Sequence, residues 1–375
     1  MHRKDAWDEL CAATSGAVKF LLQAQDANGS WKDFLLPAGN SNVWVTGFVG
    51  NALAGINDAS AQASVKAGWQ FLERNIKDGK GWSYNPTVPG DADSTLWALR
   101  FAEALGLDQS SSARGAAQFI EEHVRDDGGL ATYASAGPIQ KYIGVPAFVP
   151  FEGWTQSHIC VTAACANLGK HCQRFQSYLL AKQADDGRWP AYWWFDDEYA
   201  TAEAVAAFVG KGRTVEDCGA EIALPVARAV DWALGRAGKI HGENIFALAH
   251  VLRILARSNR EDVQSALMKG LAELIAMQKM DGSWPASSKL RVPRPDVLMP
   301  DVKAKWRMWT GMPPGAVSLH SVLEHTFTIY SLDHYAVYTT ATALYALQEI
   351  VASPAWEGST EVADDFTGGK VATNA

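Results

Sequence analysis

Three segments of this chain share one spacing. Gln25 to Trp31, Gln183 to Trp189 and Gln278 to Trp284 each read Q-x-x-x-G-x-W. Each follows an amphipathic helical run, such as Val18 to Leu22, Ser177 to Ala181 or Leu271 to Met277. Glycine just past a helix allows the left-handed C-cap. The glutamine amide is then expected to reach a neighbouring helix end while the indole packs over it. Weaker copies stand at Asp78–Trp82 and Asp126–Leu130. A repeated helical unit cannot bury its apolar face alone and must stack on its neighbours.

After each turn comes a second kind of helix, rich in Thr and Ala. Trp44 to Phe48, Ser94 to Leu99, Val161 to Ala164, Ala200 to Ala204 and Thr339 to Leu344 are examples. Small residues let helices approach closely, which suits an inner ring. Pairing outer with inner helices gives 8–24 with 43–55, 60–75 with 91–105, and 110–124 with 155–168. The series continues with 172–183 and 198–209, 224–237 and 243–257, 261–278 and 334–351. Six pairs predict an all-α chain, one (α/α)6 barrel over residues 1–353. A long insertion at 285–332 would act as a lid, since loops of this length in compact domains are usually functional or disordered. The small, polar, acidic tail 354–375 is expected to be disordered.

Composition narrows the partners. Lys and Arg number 33 against 41 Asp and Glu, a net charge of −8. That argues against a nucleic-acid surface, which needs a basic face. No apolar run approaches the roughly 18 residues of a membrane span, and nothing after Met1-His2-Arg3-Lys4-Asp5 resembles a signal peptide. A cytoplasmic location is therefore expected, with the five cysteines as free thiols. The 15 tryptophans need either a recurrent structural slot or an aromatic-lined cavity.

The repeat resembles that of the squalene–hopene cyclase, oxidosqualene cyclase and class II diterpene cyclase superfamily. The likeness covers about residues 8–351. Related protein prenyltransferase β-subunits share the architecture. The run Asp91-Ala92-Asp93-Ser94-Thr95 resembles the D-x-D-D-T-A motif of class II cyclases. It is closer still to the D-x-D-T-T form of drimane-type sesquiterpene cyclases. The resemblance implies Asp93 as general acid toward an alkene or epoxide, with Asp91 hydrogen-bonding or tuning it. Ser94 stands where many relatives carry an acid. The chemistry fits such residues. A carboxylic acid in an apolar pocket stays neutral because burial disfavours the anion, and a second carboxylate raises one pKa of the pair further. The resulting cation is stabilised by aromatic faces at about 0.5–2 kcal/mol per ring. The bland reading is that both acids cap the inner helix they precede.

Starts of inner helices should share one end of the barrel. That nominates Trp44, Trp154, Tyr199 and Tyr335 to line a cavity, with Trp97 one turn beyond Asp93. His158 could hydrogen-bond the acid, or be a satisfied interior histidine. Arg291, Arg294 and Arg307 in the insertion could hold a prenyl diphosphate, or belong to a solvated basic loop. Asp196-Asp197 lacks the third acid of a class I magnesium motif, because Ala200 occupies that place. Asp333-His334-Tyr335 lacks the companion ligands of a zinc prenyltransferase. A proton-initiated terpenoid cyclase follows. It would act on a linear isoprenoid, as a prenyl diphosphate or a prenylated aromatic. No cofactor is required, with Mg2+ involved only if the substrate is a diphosphate. Most class II enzymes place the cavity between two barrels; this one must be closed by the insertion or by a second subunit in a homodimer. A carbohydrate-active barrel pairing Asp93 with Glu152 or Asp197 is the alternative from another class. A non-catalytic barrel binding an isoprenoid or a protein is a third.

Overall fold

A computed structural model describes residues 3–169, 172–240, 243–300, 306–308 and 328–353; the tail 354–375 lies outside them. Six helices form an outer ring. They are α1 (Arg3–Gln23), α3 (Ala59–Arg74), α5 (Ser111–Glu122), α9 (Cys172–Lys182), α11 (Ala220–Ala237) and α13 (Glu261–Ala276). The inner ring is α2 (Val43–Ala54), α4 (Ala92–Ala104), α8 (Ile159–Cys165), α10 (Glu198–Val209), α12 (Ile245–Leu255) and α14 (Val337–Val351). Each inner helix packs on the next, and α14 returns to α2. The chain is thus an all-α barrel whose hydrophobic cluster runs from Leu10 to Ile350.

The repeated turns tie the ring together with one geometry. The indole N–H groups of Trp31, Trp189 and Trp284 donate to the carbonyls of Leu21, Leu179 and Leu274 at 2.7 Å each. These carbonyls lie near the C-terminal end of the preceding outer helix, where the last carbonyls lack helical partners. The glutamine amide closes its own turn and reaches the next outer helix. Gln25 donates to Ser64 on α3 at 2.9 Å and Gln183 to Pro225 on α11 at 2.8 Å. Gln278 donates to Ala13 on α1 at 2.8 Å, so the last turn is fastened to the first helix.

The Thr content of the inner helices has a specific cause. Thr46, Thr95 and Thr201 accept the backbone N–H of Trp31, Trp82 and Trp189 at 2.9–3.0 Å. Thr162 and Thr340 do the same for Leu130 and Trp284. The threonine that ends the Asp91–Thr95 run is therefore a structural member of the repeat.

Gly282 shows how tight this seam is. Its φ is +88°, and an added Cβ would sit 2.1 Å from the Gly16 carbonyl oxygen of α1. Gly282→Ala is expected to destabilise the fold by about 1–3 kcal/mol in a urea titration. Gly238→Ala should be nearly silent, because Gly238 has φ −79° and open space around it.

Three features differ from the sequence reading. The third inner helix is split, with α7 (Glu152–Thr155) standing apart from α8. A short α6 (Ala136–Ile143) precedes it. The last inner helix begins at Val337, not at residue 334. Two carboxylates cap it from a distance. Asp33 accepts from the N–H groups of Tyr335, Val337 and Tyr338, and Asp333 accepts from that of Thr339. The insertion is also not a plain loop. Its β3 (Lys289–Val292) pairs antiparallel with β5 (Thr328–Leu332), which pairs parallel with β4 (Trp306–Met308). Ahead of this sheet in the chain, β1 (Asp33–Leu36) and β2 (Gly39–Ser41) form a hairpin, and β5 packs on β1.

Candidate active site

The start of α4 is fixed from several sides. The Asp91 N–H donates to Trp82 O and the Ala92 N–H to Thr132 O, both at 2.9 Å. The Asp91 carboxylate caps the helix, accepting from the Ser94 N–H at 2.7 Å and the Ser94 hydroxyl at 2.8 Å. Burial pushes this carboxyl up to about 7, against the pull of those donors. Ser94, where relatives carry an acid, is thus a hydrogen-bond donor to Asp91.

Asp93 differs from Asp91 in every respect. No described group donates a hydrogen bond to its carboxyl. It keeps accessible surface while Asp91, Ala92, Ser94 and Thr95 around it are buried. It lies within electrostatic reach of Tyr133, Tyr199, Tyr338 and Cys160, which belong to four other segments. A side chain so enclosed yet accessible implies free space beside it. Burial, then the charges of Asp91 and Glu203, raise the Asp93 carboxyl well above the usual range. Both effects favour the protonated form of the carboxyl.

Aromatic rings crowd this end of the barrel. Tyr133 and Trp193 keep some accessible surface. Trp154 lies between them, with ring centroids 6.0 and 5.6 Å away. On the barrel axis, Trp44 and Phe48 of α2 meet Tyr338 of α14 at 5.2 and 4.1 Å, and Phe48 meets Trp97 edge-on at 4.6 Å. Trp194 contacts Tyr199, Phe246 and Tyr338 at 4.8–5.2 Å. The N–H groups of Trp44 and Trp97 and the hydroxyls of Tyr199 and Tyr338 are buried without a hydrogen-bond partner.

Below the rings the axis changes character. Glu203 of α10, 1% exposed, accepts from Arg100 at 2.7 Å and from Arg253 at 2.8 Å. Arg253 and Arg257 reach Glu349 at 3.1 and 3.2 Å, and Arg100 also donates to the Tyr345 hydroxyl at 2.7 Å. This ion-pair network joins α4, α10, α12 and α14 and plugs the far end. Sequence reading missed it. Lone charges one to two turns inside otherwise apolar helices were the available signal.

The arrangement is an accessible carboxyl biased toward its protonated form, aromatic rings around it, and a buried ion-pair network further along the inner helices. The type II terpene cyclase MstE from Scytonema, solved with geranylgeranyl dihydroxybenzoate as its substrate, shares this chain's fold. It matches over 94% of this chain and 99% of its own, with 32% identity and a TM-score of 0.83. This chain belongs to the type II terpene cyclases. A protein from Actinoplanes matches the cyclase at 32% identity and a TM-score of 0.78, over 91% of this chain and 99% of its own. An ent-copalyl diphosphate synthase from Streptomyces platensis shares the fold at 18% identity and a TM-score of 0.51, over 81% of this chain and 50% of its own. No protein-family model and no curated protein sequence matches. The enzyme is a class II, proton-initiated cyclase of isoprenoid chains.

Several predicted residues sit elsewhere in the cyclase than expected. His158 does not reach Asp93. Its Nδ1 meets the Thr132 hydroxyl at 2.7 Å, and its Nε2 donates to Gly153 O at 2.8 Å. Burial lowers its pKa to about 4, so the ring is neutral. Tyr335 is 48% exposed, outside the barrel. Tyr338, one turn later, takes the interior place. Arg291 is buried and donates to the carbonyls of Ala191 and Tyr192. Arg294 is exposed and paired with Asp296 at 2.7 Å. The Arg307 side chain lies outside the described residues. The carboxylate pair of a glycosidase is not assembled either. Glu152 is exposed, and Asp197 is held by Arg188 at 2.9 Å and by the Ala191 N–H. Trp44, Trp97, Trp154 and Tyr199 are all buried at the acid's end of the barrel or on its axis. Trp154 donates its N–H to Pro293 O at 3.0 Å, which ties the insertion to α7.

Proposed function

We propose that this cyclase folds an isoprenoid chain carried on an aromatic head group, with Asp93 as the general acid that starts the reaction. The observation that carries this is the Asp93 carboxyl itself: biased toward its protonated form by burial, without hydrogen-bond donors among the described residues, and accessible amid buried neighbours. Proton transfer forms a C–H bond at one alkene carbon and leaves a carboxylate and a tertiary carbocation. The positive end of the α4 dipole favours the anion. Rings such as Trp44, Trp154 and Tyr199 favour the cation at about 0.5–2 kcal/mol each. Ring closure then transfers the positive charge along the chain until a proton is lost or water adds. Asp91 acts as a positioning residue. It caps the helix and, through its charge, keeps Asp93 loaded.

The head group is read from two facts. MstE has been solved with geranylgeranyl dihydroxybenzoate as substrate and merosterolic acid A as product. In this chain, Arg291 and Arg294 are engaged with backbone carbonyls and with Asp296, which disfavours them as diphosphate ligands. Among the described residues no group of three or more His, Cys, Asp and Glu is gathered as a metal site, and no helix is long and apolar enough to cross a membrane. Segment 293–298 bonds to residues 153–156 and to Tyr192, so we take the chain's own insertion, rather than a homodimer partner, to close the pocket.

The test is incubation with prenylated hydroxybenzoates and with prenyl diphosphates of matched length, followed by mass and NMR analysis of the products. Cyclised prenylated aromatics are expected, at a rate unchanged by EDTA. Turnover of diphosphates alone, abolished by EDTA, would overturn the head-group reading and leave Mg2+ as a required ion.

A further inference from the structure

We propose that Trp97 sets the length of isoprenoid chain that the cyclase accepts, by closing the barrel one turn beneath the acid. This rests on the reading that the chain occupies the hollow at Asp93. Trp97 follows Asp93 by four residues on α4, which places it about 6 Å deeper along the barrel wall. It has no exposed surface. Its indole cannot easily swing downward. The Arg100 guanidinium lies 4.2 Å from the ring centroid, and that guanidinium is itself fixed by Glu203 and Tyr345. Phe48 presses its edge against the same indole at 4.6 Å, and Tyr338 stacks on Phe48 at 4.1 Å. A chain that reached past this layer would have to uncover a buried cation, which is strongly unfavourable.

The indole N–H adds a second observation. It is buried without a hydrogen-bond partner, so shortening this side chain sacrifices no hydrogen bond. Trp97 is a large ring packed on a charged network, so it fills the space beneath the acid down to that network. A smaller side chain here would deepen the hollow without breaking any hydrogen bond. Discrimination by such a stop arises because extra methylenes have nowhere to go.

The experiment compares wild type, Trp97→Phe and Trp97→Ala on one hydroxybenzoate head group bearing geranyl, farnesyl, geranylgeranyl or geranylfarnesyl chains. Turnover and calorimetric binding are both measured. Trp97→Ala is expected to move the preferred length up by one isoprene unit. The ratio of kcat/KM for the longer chain over the wild-type optimum should rise by about tenfold or more. Trp97→Phe should shift it part-way. If Trp97→Ala does not fold, Trp97→Leu and Phe48→Leu replace it. An unchanged length profile in folded variants would overturn the proposal. If no variant turns over any substrate, the functional reading fails and the stop is judged on binding alone. A profile of binding affinity that keeps its maximum at the same length, or no binding at all, would then count against it.

Discussion

Asp93→Asn is expected to lower turnover by about 10³-fold or more while leaving the protein folded and somewhat more stable. Asparagine matches the carboxyl in shape but has no proton to give an alkene, and removal of a general acid typically costs about 10²–10⁴-fold. The stability gain follows from linkage. The folded Asp93 pKa is raised, so the folded state binds more protons than the unfolded state above the ordinary carboxylate range. Its favourable contribution is complete below the unfolded pKa and disappears as pH rises through the folded one. Asparagine does not titrate. The stability difference between variant and wild type should therefore widen, in favour of the variant, toward alkaline pH. Turnover of the wild type should fall over the same upper limb, because the acid must be protonated to act. Thermal melts and kcat measured from acid to alkaline pH check both statements. A variant that keeps its activity, or loses it only because it unfolds, would remove Asp93 from the chemistry.

Breaking the plug should have the largest effect on stability. Glu203→Ala leaves Arg100 and Arg253 buried without their shared carboxylate. Its neighbour Asn167, which donates to it at 3.1 Å, loses that partner too. Removing one member of a buried charge network typically costs about 3–5 kcal/mol, because the remaining charges are uncompensated. The loss should appear in a denaturant titration at neutral pH. Adding Arg100→Met should recover part of it, since an apolar pair of similar volume replaces a buried ion pair at little cost. A loss below about 1 kcal/mol in the single variant would mean that the network relaxes or hydrates.

The same residues show what the sequence could and could not disclose. Gln25, Gln183 and Gln278 repeat one local chemistry, so their spacing predicted the turns and the helices on either side. Asp93 could be nominated because its neighbours form a motif within five residues. Tyr335 misled because the start of α14 is set by Asp33, some 300 positions away in the chain, and by the left-handed Ala336 at φ +56°. A shift of three residues at a helix start exchanges the inward tyrosine for the outward one. His158 and Arg291 misled for a related reason. Their partners are the backbone carbonyls of Gly153, Ala191 and Tyr192 and the Thr132 hydroxyl. A carbonyl is present at every position, so no pattern of side chains announces which one will be used.

The bond from Gln278 to Ala13 has a consequence for how the molecule comes into being. Helix α1 packs on nearby α3, but its other partners, α13 and α14, lie far along the chain, and Gln278 follows Ala13 by 265 residues. Until those partners are made the growing chain is an open arc with an apolar edge at each end. Contacts so far apart in sequence slow the search for the native arrangement. The order of synthesis is thus not the order of assembly, and the nascent arc must stay soluble until its two ends can meet.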